Sequence, residues 1–166
     1  MRIVSCALIA VAVLAPASGL RAQGGAPPTW EQATARQWKG LHDKILAMAK
    51  DAQFPDNKLE TRPHPDSRTV LDEYRHVTIG LEMSTAQLKG EPFDYNARLK
   101  ADDNKPRTRA SVVQEMEAAI AASYPVVDQK ASPRLLFWLE HQGEHYGKLV
   151  SNYRLAGVVP PVSRPK

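Results

Sequence analysis

The chain has 166 residues and a mass of 18.4 kDa, enough for one ordinary domain and too little for two. Apolar residues make up 43% and charged residues 24%, which excludes the low-hydrophobicity, high-charge mix of a disordered chain. Nine glycines and thirteen prolines without a short period exclude collagen-like and repeat architectures. The net charge is +4, but without residues 1–22, which hold two arginines and no acid, 20 basic residues face 18 acidic ones. That near-balance argues against nucleic acid as a partner.

Residues 1–22 carry the pattern of a secretory signal peptide. Arg2 precedes the apolar run Ile3 to Leu14, and small residues follow at Ala15, Ala17, Ser18 and Gly19. The run is too short for a permanent bilayer span, so the expectation is a secreted or periplasmic protein with no stable membrane span after cleavage. Cleavage after Ala17 or after Ala22 fits equally, and a retained N-terminal anchor is the competing reading. Cys6 is the only cysteine. The mature chain then has no thiol, which excludes disulfides, cysteine zinc sites and a cysteine nucleophile.

Residues 23–28 read as a flexible lead-in. Thr29 and Gln32 have the form of a capping box, and helical spacing continues through Trp38, Leu41, Ile45 and Met48, ending before Pro55. The proline-rich stretch Phe54 to Ser67 reads as a loop. A second helix starts near Ser67 or Thr69, carries Val70, Tyr74, Val77, Leu81 and Ser84 on one face and stops at Gly90. Glu91 to Arg109 reads as a long polar connection. A third helix, with Ser111 and Gln114 as its cap and Val113, Met116 and Ile120 as its stripe, is expected to end before Pro125. A fourth has Ser132 as N-cap, Pro133 at its first position and Gly157 beyond its end. No stretch of alternating β-branched residues competes, so the fold class is all-α, a helical bundle spanning residues 29–161 with a short tail at 162–166.

The chemistry lies with the histidines. At about 100° per residue, Trp138, Leu149 and Ala156 mark the buried line of the fourth helix. His145 falls near its centre, and His141, one turn earlier, falls to one side but still faces inward. Two imidazoles at this spacing can share one metal ion. A third ligand must come from another helix, and phase leaves His42 and His76 in competition. His64, between two prolines, reads as a loop residue. Two familiar motifs fail here: Gln142 stands where a zinc protease needs its glutamate, and only Glu73–His76 has the spacing of a di-iron Glu-x-x-His pair.

The run His141-Gln142-Gly143-Glu144-His145-Tyr146-Gly147-Lys148-Leu149, followed by Tyr153 to Pro161, resembles the last helix of the DinB-like (YfiT) superfamily. Arg62 to Val70 resembles that family's loop into its second helix, and Tyr74-Arg75-His76-Val77 resembles its ligand segment; order and spacing fit over residues 30–161. The resemblance implies a four-helix bundle in up-down-down-up order, often paired as a homodimer. It also implies a metal site formed by His76, His141 and His145, which demotes His42. Tyr146-Gly147-Lys148 departs from the family pattern, and export departs from relatives that use cytosolic thiols.

Three neutral imidazoles would leave a divalent ion, zinc or nickel, with an open position. A bound water there would have its pKa lowered from 15.7 to about 7, and a bound thiol would ionise. The expected function is therefore a metal-dependent hydrolase or thiol S-transferase acting on a small molecule. The alternatives are a non-catalytic periplasmic metal- or ligand-binding bundle, and a bundle that keeps the histidines without a metal. Trp138, Tyr146 and Tyr153 could shape a pocket, although core packing is their ordinary role. Glu73, Gln142, Glu144 and Asn152 are within sequence reach of the histidines, but a solvated or structural role is the reading adopted for each.

Overall fold

The computed structural model describes residues 26–165. Residues 1–22, for which a signal peptide is the expectation, and the first residues of the expected lead-in lie outside the described residues. Those described form five α-helices and no strand: α1 (Trp30–Ala49), α2 (Val70–Lys89), α3 (Tyr95–Asp102), α4 (Arg109–Lys130) and α5 (Pro133–Leu155). None is long and apolar enough to cross a membrane.

The ends of α1 and α2 follow from local chemistry. The Thr29 hydroxyl accepts from the Gln32 N–H while the Gln32 side chain accepts from the Thr29 N–H, satisfying two otherwise orphaned donors. Thr69 caps α2 in the same way through the Asp72 N–H, and Gly90 ends it at φ 79°, a left-handed conformation that glycine adopts without a Cβ clash.

Both α1 and α2 pack against α4 and α5. Their apolar faces meet in one core around Trp38, Ile45, Met48, Leu71, Tyr74, Val77, Leu81, Met116, Leu135 and Leu149. Each large side chain buried there contributes about 1.5–3 kcal/mol. Trp38 also donates its Nε1–H to Ser123 Oγ at 3.0 Å, which satisfies the indole within the core.

Two expectations are corrected. The third long helix does not stop before Pro125: α4 starts after its N-cap Thr108, not at Ser111, and runs through the proline to Lys130. A proline inside a helix loses a hydrogen bond and costs roughly 3 kcal/mol. Here Pro125 is exposed, and the helix is anchored on both sides of it. Ser123 accepts from Trp38, the Tyr124 hydroxyl donates to Asp43 Oδ1 at 2.7 Å, and Val127 is fully buried.

The polar stretch Glu91 to Arg109 is likewise not a plain connection, because it contains α3. Asp94 caps this helix by accepting from the Ala97 N–H at 2.9 Å. Ion pairs hold it: Arg98 reaches Glu82 of α2 at 2.6 Å, Glu115 of α4 at 3.1 Å and its own Asp102 at 3.1 Å, and Lys105 adds a bond to Glu115 at 2.7 Å.

At the other end, Ser132 precedes Pro133 as expected but makes no side-chain capping bond, and Gly157 takes φ 77°. The segment Pro161–Ser163 then forms a short 3-10 turn against α1, and Arg164 pairs with Asp51.

Candidate metal centre

α2 and α5 run antiparallel, since Glu73 meets His145, Val77 meets Gln142 and Gln87 meets Trp138. Gln142 and Trp138 of α5 lie directly over Gly80 of α2. A Cβ built there would stand 2.5 Å from Gln142 Nε2, which donates to the Val77 carbonyl at 3.1 Å. Glycine at this position leaves room for the Gln142 amide to bond α2.

His76 comes from the middle of α2, and His141 and His145 come from successive turns of α5. One ring nitrogen from each lies within 4.8 Å of the other two, so the three could hold a metal ion. His141 Nε2 and His145 Nε2 are 3.2 Å apart. Two nitrogens bound to a tetrahedral zinc at about 2.0–2.1 Å would stand about 3.3–3.4 Å apart, so this spacing fits one edge of such a site. The His76 ring meets those of His145 and His141 edge-on, with centroids at 4.5 and 5.7 Å.

The ring orientations have physical causes. His145 is buried, and its Nδ1–H donates to Glu73 Oε1 at 2.5 Å, which leaves the Nε2 lone pair facing His141. His76 Nδ1 lies 3.5 Å from the Tyr95 hydroxyl, which α3 delivers to the site. Phe137 stacks parallel to the His141 ring, and Trp138 meets it edge-on while donating its Nε1–H to Gln87.

Burial disfavours the charged forms of His76 and His141. Burial, assisted by the Arg68 and His145 fields, lowers the His76 pKa to about 4. Burial and the field of His145 lower that of His141 as well. Burial pushes the Glu73 carboxyl up, but the hydrogen bond from His145 and the charges of Lys148 and Arg68 outweigh it and hold it below the usual carboxylate range. A carboxylate backing an imidazole is the arrangement that raises the basicity of a metal-ligating histidine.

Two large clefts lie beside the cluster, and a third, of about 340 Å³, also reaches His76 past Tyr95. One, of about 800 Å³, opens onto His76 and His141 and has Met83, Phe137 and Trp138 along its sides. The other, of about 870 Å³, is polar and reaches Glu73 between Arg68 and Lys148. Lys148 therefore faces the carboxylate side of the cluster.

The remaining residues weighed from sequence separate cleanly. His42 lies in the core away from the cluster, with Nδ1 on the Trp38 carbonyl at 2.8 Å. His64 is an exposed loop residue. Gln142 ties α5 to α2, while Glu144 and Asn152 line the polar cleft. Tyr153 is buried and donates to the Met48 carbonyl at 2.5 Å, and Tyr146 lies beside Lys44. Neither shapes the apolar cleft.

Glu73 alone departs from the structural role expected of it, since it bonds a cluster histidine directly. The signal was present: it sits three residues before His76, on the same side of the helix. Tyr95 carried no comparable signal, because α3 has no apolar stripe. Comparison with known proteins finds no matching family model, no matching curated protein and no matching solved structure.

Proposed function

We propose that this chain is an exported DinB-like protein whose His76, His141 and His145 bind one divalent metal ion, zinc or nickel, for hydrolysis or thiol transfer on a small molecule. The observation that carries this reading is the convergence of three imidazoles from two helices, with Glu73 fixing the ring of His145. The four long helices, in which α1 and α2 each pack against α4 and α5, support an up-down-down-up bundle. The cationic start, apolar run and small residues of 1–22 support export.

A divalent ion on three imidazoles supplies Lewis acidity at an open position, enough to ionise a water or a thiol near neutral pH. Glu73 holds the proton on His145 Nδ1, so that Nε2 stays free as a donor atom. Tyr95 lies beside His76. Phe137 and Trp138 keep water from one side of His141, and Arg68 and Lys148 supply positive charge on the Glu73 side.

A second reading, a non-catalytic metal- or ligand-binding bundle, is favoured by one observation: among the described residues, no carboxylate lines the apolar cleft. A general acid or base there is limited to the Tyr95 hydroxyl and the histidines themselves. The two readings part on turnover. The zinc- or nickel-loaded chain is expected to hydrolyse p-nitrophenyl acetate, or to join a small thiol to 1-chloro-2,4-dinitrobenzene, at a rate lost in His141→Ala. Tight metal binding with neither reaction dependent on the metal would establish the binding reading instead.

A further inference from the structure

The apolar cleft is asymmetric along its length. His141, Phe137 and Arg134 lie on one face of α5 at helical spacing, and all three line it. Seven residues separate Arg134 from His141, about 10 Å along the helix axis. On the antiparallel α2, Met83 stands two turns beyond His76 in the same direction. The trough thus has imidazoles at one end, an apolar middle formed by Met83, Phe137 and Trp138, and a guanidinium at the other end.

Neither the middle nor the far end is covered by the rest of the described chain. Phe137 is 60% exposed, next to Leu136 at 51%. Among the described residues, no carboxylate lies within ion-pair distance of Arg134. Arg134 also stands in the first turn of a 23-residue helix that has no acidic residue there, where the helix dipole disfavours a cation and favours an anion.

We infer that the trough binds an amphipathic organic carboxylate, with its reacting end at the histidines, an apolar body of about 10 Å along Phe137 and Trp138, and its carboxylate on Arg134. An apolar body would cover the exposed Phe137 face, and a carboxylate would supply the partner that Arg134 lacks. Only the placement of the reacting end rests on the metal reading. The apolar middle and the Arg134 end stand without it.

The test uses suberic acid monohydroxamate, whose six methylenes separate a metal-binding head from a carboxylate, against octanohydroxamate, which lacks the carboxylate. By calorimetry on the zinc-loaded chain, the former is expected to bind at least about tenfold tighter. Arg134→Gln should remove that difference and leave octanohydroxamate unchanged. Equal binding of the two probes, or a difference that survives Arg134→Gln, overturns the inference while leaving the metal site intact.

If the chain takes up no zinc, the metal reading has failed, and octanoate titrated into the metal-free chain decides the rest. Binding weakened at least about fivefold by Arg134→Gln sustains the trough, and absence of binding overturns it. Arg134 is exposed at a helix start, so its replacement leaves the core untouched.

Discussion

His42 and His145 are equally hidden, at 0% and 2% exposure, yet they have opposite surroundings. His42 spends its one N–H on the carbonyl of Trp38 in its own helix, meets that same indole at a tilt with ring centroids 4.2 Å apart, and leaves Nε2 against no partner among the described residues. His145 gives its N–H to a carboxylate on another helix, and its Nε2 meets a second imidazole. Burial alone is thus a poor mark of a site. The direction of the second nitrogen separates a packing histidine from a candidate ligand.

Replacing a histidine on each side of this comparison should give unlike results. His145→Ala is expected to weaken zinc binding by more than a hundredfold, because it removes a donor atom and leaves Glu73 a buried carboxylate without its bond. Competition against a chromophoric chelator measures this, and binding within threefold of the parent chain would remove His145 from the site.

His42 should instead show itself through acid stability. Burial lowers its pKa in the folded chain from about 6.5 to about 4. Between those values the unfolded chain binds the extra proton, so stability rises with pH through this window. The full contribution is present above about pH 6.5 and is gone near pH 4, a difference of about 3 kcal/mol. Urea denaturation of the metal-free chain at pH 7 and pH 4 should show His42→Gln losing that part of the slope. An unchanged slope would mean that His42 is solvated.

Glu73→Gln probes the carboxylate that His42 lacks. Loss of a partner of this kind typically costs 10–100-fold in metal affinity, and a drop in that range is expected here with the fold retained by circular dichroism. The smallest effect belongs to Tyr95→Phe. A contact of 3.5 Å is long for an O–H hydrogen bond, so metal affinity should change by less than about threefold.

The sequence exposed some of this arrangement and concealed the rest for identifiable reasons. Thr29, Thr69, Gly90 and Pro133 punctuate their helices through local bonds and dihedral limits, which the chain order displays. The spacing of His141 and His145 on one face was equally legible. Pro125 misled because the bonds that carry α4 through it come from Trp38 and Asp43, more than 80 residues away. α3 was concealed because ion pairs to Glu82 and Glu115, not an apolar stripe, hold it in place. Phase could not choose between His42 and His76, since both fit a partly inward face. Gly80, which leaves room for the Gln142 amide to bond α2, is silent until the two helices are set together.

The most direct test is the metal content of the untagged chain beginning at Gln23, measured by plasma mass spectrometry beside His141→Ala after incubation with zinc, nickel and manganese. The account predicts about one zinc or nickel ion per chain, lost in the variant. Both proteins remaining empty would contradict it, and the three histidines would then join His42 as packing residues.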